Sequence, residues 1–192
     1  MTADTPPRFK IPAEWYYRML ELSGQDWLRV ELIDGEVFEM PAQKNWHALG
    51  LSLAHDALRL AFGSYFWVRT QASLDLSPYS VPDPDIAVVV GPRATWHGPN
   101  NPTTAVLIVE ISDTTLAYDR GRKASLYAAS GIADYWILNL VENRLEVHRQ
   151  PVVDESQYFG HGFGDRLILG PTERIAPLAV PGGEIAVVDL LP

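Results

Sequence analysis

Val81-Pro82-Asp83-Pro84-Asp85-Ile86-Ala87-Val88-Val89-Val90 and, past a loop, Val106-Leu107-Ile108-Val109-Glu110-Ile111-Ser112 are the two stretches that decide how this chain folds. Short continuous apolar runs of this kind, rich in β-branched residues, read as strands covered on both faces. Each run carries a carboxylate at one end. If the two strands are neighbours and antiparallel with Val90 opposite Ala105, partner positions sum to 195 and Asp85 lies across from Glu110. Residues so opposed share a face with Cβ atoms roughly 5 Å apart, where like charges destabilise each other.

That repulsion needs compensation. A divalent cation is the natural one, because Mg²⁺ prefers oxygen ligands and takes one or two protein carboxylates with water; the backbone carbonyl of Ile111 could add a ligand. A plainer reading stands beside it, with Asp85 in an Asx-type turn after Pro84 and Glu110 a strand-end charge facing solvent. An unpaired carboxylate inside the Val106–Ile111 run is nonetheless costly.

Working outward, Pro12, Glu14, Trp15, Met19 and Leu22 describe a short amphipathic helix ending near Gly24. From Leu28 to Met40 the period changes, and Asp34-Gly35 between apolar runs predicts a type I′ hairpin. Apolar residues at Trp46, Leu49, Leu53, Ala57 and Leu60 predict a helix over Gln43–Phe62, capped by Gly63. A strand is expected at Tyr65–Arg69. The segment from Gly91 to Thr104, rich in Pro, Gly and Asn, is a long loop of the kind that is often functional. A helix over Tyr118–Ser130, strands at Tyr135–Leu140 and Leu145–Arg149, and strand fragments at Leu167–Leu169 and Ile185–Val188 complete the pattern. The helix from Tyr118 joins two buried strands and so forms a crossover. The class is α/β around a mixed sheet flanked by helices, in one domain with a core over about 15–150 and an extension over 151–192.

The composition narrows function by exclusion. With no cysteine among 192 residues, disulfides, thiolate metal sites and a cysteine nucleophile are ruled out. The charge of −9, from 24 acidic and 15 basic residues, argues against non-specific attraction of the whole surface to polyanions, so any such partner must meet a local basic patch. No secretory leader and no apolar run near the roughly 20 residues of a membrane span are evident, so a cytoplasmic protein is expected. His47 and His55 are eight apart, not the helical zinc spacing, and neither a Gly-x-Ser-x-Gly elbow nor a phosphate-cradling glycine loop is present.

Two further clusters carry candidate chemistry. Asp119-Arg120-Gly121-Arg122-Lys123 is the densest basic stretch, and Lys123 is one of three lysines against twelve arginines. Asp119 and Lys123 also have the i, i+4 spacing of a weak surface pair. Glu31 alternates with Val30 and Leu32 and points away from their face, with Glu36 and Glu39 nearby; solvated hairpin charges are the plainer interpretation.

Taken in order, Val-Glu-Leu-Ile-Asp-Gly-Glu (30–36), a helix entered by His47, Pro84-Asp85, Val109-Glu110-Ile111-Ser112, Asp119-Arg120-Gly121-x-Lys123, Leu126-Tyr127 and Gly131-Ile132-x-Asp134-Tyr135-Trp136-Ile137 resemble the Uma-type restriction endonuclease family of the PD-(D/E)XK nuclease superfamily. The resemblance spans about Trp15 to Arg149. It implies a restriction-endonuclease-like core, a Mg²⁺ (or Mn²⁺) site hydrolysing DNA phosphodiesters, and a homodimer by analogy. Carried over, Asp85 and Glu110 are the metal-binding acids, Glu31 an additional acid, and Lys123 the catalytic lysine. The superfamily's lysine stands two residues after the acid, where this chain has Ser112. Arg120 and Arg122 are expected to grip neighbouring phosphates. The alternatives are a nuclease-fold binding or assembly module that no longer cuts and, more remotely, a hydrolase of small phosphoesters; the acidic surface favours the former.

Overall fold

The computed structural model describes residues 8–24 and 29–192; Leu28, expected to open the hairpin, and the first seven residues lie outside them. A six-stranded mixed sheet in the order β3-β4-β5-β6-β7-β8 forms the centre, from β3 (Phe66–Thr70), β4 (Ile86–Val90), β5 (Leu107–Ser112), β6 (Asp134–Asn139), β7 (Arg144–Val153) and β8 (His161–Leu169). All neighbours are antiparallel except β5 and β6, which are parallel and joined by the expected crossover.

The register of β4 on β5 is the anticipated one. Ile86 faces Val109, Ala87 faces Ile108 and Val88 faces Leu107, each pair summing to 195. Strand parity then sorts the side chains. Ile86, Val88, Leu107, Val109 and Ile111 pack on one face against Ala54, Leu58 and Phe62 of α2 (Asn45–Phe62) and against Ile185, Val187 and Leu190 of the chain's end. Ala87, Val89, Ile108, Tyr135 and Ile137 pack on the other, against Ala124 and Tyr127 of α4 (Ala124–Ala129).

A third, smaller core joins Tyr16 of α1 (Ala13–Ser23) to Val30 and Leu32 of the hairpin β1 (Val30–Ile33) and β2 (Glu36–Glu39), and to Val81. Asp34 and Gly35 both have positive φ, 55° and 77°, the type I′ geometry that the Asp-Gly pair predicts. Leu32 bridges to Val81 in both directions (Val81 N–H to Leu32 O 2.7 Å), which fastens the hairpin over the end of β4 where Asp85 stands.

Three elements differ from expectation. The crossover is not a continuous α-helix: α3 (Leu116–Tyr118) gives way to a π turn over Asp119–Lys123 before α4 resumes, and the Ala124 N–H reaches Asp119 O. β7 and β8 are longer than predicted. β8 passes through His161-Gly162-Phe163-Gly164-Asp165-Arg166, whose glycines hide a strand pattern, and forms because β7 offers it a complete antiparallel edge from Leu145 to Val153. Residues 161–169, placed in the extension, therefore belong to the central sheet. The short pair β9 (Arg174–Ile175) and β10 (Ile185–Ala186) stands apart. Among the described residues no helix is long and apolar enough to cross a membrane.

Candidate active site

The two strand-end acids, the hairpin acid and the crossover lysine meet at one end of the sheet. Asp85 immediately precedes β4, and the register carries it to Glu110. Its backbone N–H lies 3.4 Å from Glu110 Oε2, and its own Oδ2 accepts the Ile111 N–H at 2.9 Å. Glu110 alternates with Val109 and Ile111 and so faces α4, where Lys123 Nζ donates to its Oε1 at 3.0 Å and the Tyr127 hydroxyl donates to the same oxygen at 2.6 Å. Lys123 Nζ is also 3.4 Å from Glu31 Oε2. The Tyr118 hydroxyl reaches Glu31 Oε1 at 3.4 Å. Glu31, Asp85, Glu110 and Lys123 are all buried, so neither acid is a solvated charge.

The π turn is what makes Lys123 an inward residue. Asp119, Lys123 and Tyr127 all point to the sheet while Arg120 and Arg122 turn outward. Asp119 is held by the hydroxyls of Ser112 and Thr115, and the Tyr135 hydroxyl donates to its carbonyl at 3.0 Å. Ser112, at the position where the superfamily has its lysine, thus anchors the turn that delivers Lys123.

Charge is unevenly compensated here. Burial opposes the Lys123 charge, but Glu110, then Glu31, Asp119 and Asp85, outweigh it and hold the ammonium well above its ordinary pKa. At Glu110 burial wins: Lys123 and Tyr127 pull the carboxyl down, Asp119 and Asp85 push it up, and it rises to about 8. Asp119 is raised as well, chiefly by burial. One lysine among several carboxylates leaves a surplus of negative charge.

Sequence reasoning gave no role to three residues. His47, at the start of α2, places Nε2 3.2 Å from Asp85 Oδ2, and burial of the ring is outweighed by that hydrogen bond, so its pKa is raised. Asp119 and Tyr127 flank Lys123 at four-residue steps, a spacing that read as a surface pair only while the helix was assumed exposed. The expectation for Arg120 and Arg122 does not fit the geometry. Arg120 donates to Glu146 (Nε to Oε2 2.9 Å) and Glu142, and Arg122 donates to Glu36 at 2.7 Å over the Phe38 ring; neither lines the cavity. Arg29 does line it, and among the described residues its guanidinium has no ion pair.

The cavity, about 310 Å³, is lined by Glu31, Asp85, Glu110, Asp119, His47, Lys123 and Ile111 among others. Among the described residues no group of three or more His, Asp or Glu is arranged to hold an ion by protein atoms alone. The donor set fits a hydrated hard cation instead. Asp85 Oδ1 has only a 3.4 Å contact from Gln43, and Glu110 Oε2 only the 3.4 Å backbone contact, so each acid keeps one oxygen available.

A mixed sheet with a hairpin-covered acidic end and a lysine from the crossover defines a restriction-endonuclease-like protein. The chain belongs to the Uma2 family, described as "putative restriction endonuclease", whose sequence profile matches residues 13–185. The match runs through β8 and β9, well past Arg149 where the motifs end. No protein with a curated description matches. A crystal structure of a "putative nuclease belonging to DUF820" from Anabaena variabilis shares the fold, with TM-score 0.61 and 14% identity over 84% of this chain and 88% of that one.

Proposed function

We propose that this chain is a divalent-cation-dependent endodeoxyribonuclease, hydrolysing DNA phosphodiester bonds in the cavity between the hairpin and the ends of β4 and β5. The observation that carries the reading is the buried, under-compensated pair Asp85 and Glu110 beside the charged Lys123. Asp85 and Glu110, with the Ile111 carbonyl, are the groups that would hold Mg²⁺ or Mn²⁺, and Glu31 lies at the edge. Such an ion, when bound, polarises a phosphate and acidifies a water.

The chain's own residues do the rest. Lys123 stays protonated at neutral pH because carboxylates surround it, so it remains a donor that orients the attacking water and offsets charge gathering on the phosphate. His47 fixes the Asp85 carboxylate through its hydrogen bond, and the Ile111 N–H fixes the same oxygen. The neighbouring phosphate falls to Arg29 and to the amino end of α2, which lacks a side-chain cap and presents free N–H groups beside His47. Cutting both strands would engage two copies.

Purified protein with Mg²⁺ is expected to nick plasmid DNA, and Lys123→Ala to lose hydrolysis while retaining Mn²⁺ binding by calorimetry. Equal nicking by wild type, Asp85→Ala and Glu110→Ala would trace the activity to a contaminant and overturn the reading. The net charge of −9 favours a second reading, a nuclease-fold binding or assembly module that does not cut; it predicts no nicking in either metal.

A further inference from the structure

A second cavity, about 600 Å³, opens at the other end of α2 and shares no lining residue with the first. Arg59 follows His47 by twelve residues on one helix, which separates the two places by ~18 Å. The topology assembles it. α2 ends where edge strand β3 begins, β3 is antiparallel to β4 with Phe66 opposite Val90, and so the residues just after β4 return to the carboxyl end of α2. The Gly91 N–H donates to Tyr65 O at 3.0 Å and the Thr95 hydroxyl donates to Pro92 O at 2.8 Å, which sets the turn carrying Arg93.

The lining is cationic and aromatic: Arg59, Arg93, His55, Ser64, Phe66 and Trp67, with no carboxylate among the lining residues. An acid beside the rim is Asp56, exposed and 3.3 Å from the His55 ring. Among the described residues neither the Arg59 nor the Arg93 guanidinium has a hydrogen bond or ion pair. Arg120, Arg122, Arg144, Arg149, Arg166 and Arg174, by contrast, each hold a carboxylate. Two free guanidiniums in one acid-free concavity, on a chain of charge −9, mark a place for an anion. Phe66 packs on the α2 side of the sheet, so its ring is the apolar wall beside the charges, while Trp67, next on the strand, points to the other face, where Arg69 at 5.0 Å and Trp96 at 6.2 Å meet its ring.

We propose that this cavity binds a nucleotide, its phosphate on Arg59 and Arg93 and its base against the Phe66 ring, taken either as a free 5′-nucleotide or as one unit of a single strand. The site does not rest on the nuclease reading. The test uses the full chain in EDTA, so that nothing is cut, with dTMP by calorimetry and a fluorescein-labelled dT12 by anisotropy. Wild type is compared with the double variant Arg59→Glu/Arg93→Glu and with Arg59→Lys/Arg93→Lys, each checked by circular dichroism and melting temperature. Charge reversal is expected to weaken binding at least about tenfold and to flatten the salt dependence of log K for dT12 by about 0.7, the share of the one phosphate the two arginines hold; the lysine pair keeps most of the affinity. Binding of dTMP alone, lost on reversal, assigns the site to a free nucleotide; binding of dT12 alone, lost on reversal, assigns it to a strand. Equal affinity in wild type and reversal variant, or no binding of either probe at about 1 mM, overturns the proposal. A chain that fails to nick plasmid yet passes these tests would lose the nuclease reading and keep this one.

Discussion

Glu110 and Glu146 are two buried carboxylates on the same face of the same sheet, in register either side of Ile137 and so two strands, roughly 9.6 Å, apart. Burial opposes ionisation at both, and the outcomes are opposite. At Glu146 it is overcome by Arg120, Asn139 (Nδ2 to Oε1 2.8 Å) and Arg166, and the carboxyl falls to about 2. At Glu110 one lysine and one tyrosine do not suffice, and the carboxyl rises to about 8. Neither side chain is open to water, although Glu110 lies deeper, so surface exposure alone does not tell a structural acid from a functional one. Depth and the number of cations around each do: Glu146 is closed by its own arginines, and Glu110 lacks the cations that would keep it ionised.

The largest expected effect tests the open side of this contrast. Asp85→Ala or Glu110→Ala should lower plasmid nicking by at least about 10²–10³-fold, with the melting curve retained. On the closed side, Glu146→Ala takes the shared partner from Arg120 and Arg166, which are open enough to turn to water, and should cost about 1–3 kcal/mol in urea denaturation. Glu110→Gln, by the same measurement in chelator, should be close to neutral, because a carboxyl raised to about 8 is already mostly protonated at neutral pH and the amide keeps its shape; a loss as large as that of Glu146→Ala would erase the distinction. A smaller effect is expected of His47→Ala, about 10–100-fold in activity through misorientation of Asp85, with partial rescue by His47→Gln.

The smallest is a pH effect beside Glu146. His148 lies between Tyr135 and Phe163, with Arg166 and Arg120 near and Glu146 4.0 Å away; burial, then Arg166, lowers its pKa to about 4. The unfolded chain protonates this histidine near 6.5, so between there and 4 it binds more protons than the folded chain, and stability falls as pH falls through that window. His148→Phe should flatten this part of the stability–pH curve, and an unchanged slope would remove His148 from the network.

Much of the site was legible because it depends on strand parity. The sum of 195 that relates Asp85 to Glu110 needs only two apolar runs and their antiparallel pairing, and the hairpin bearing Glu31 needs only Asp34-Gly35. Lys123 was legible through family resemblance, not through spacing. What escaped depends on distant partners: Arg120 and Arg122 read as free cations because Glu146 and Glu36, which hold them, lie 26 and 86 residues away. The π turn escaped because Asp119 and Lys123 fit an ordinary helix equally well until Ser112 and Tyr135 hold Asp119 inward. β8 escaped because its glycines carry no alternating pattern, and only the edge of β7 makes them a strand.

Periodicity and composition are local properties, and they were enough for the mixed α/β layering, the facing of Asp85 and Glu110, and the exclusion of thiol chemistry. Which acid lacks compensating cations, which arginines remain free for an anion, and the entry of His47 and Tyr127 into the site came only with the folded chain. Those are settled by burial and by neighbours brought together across the sheet, and no local pattern records them.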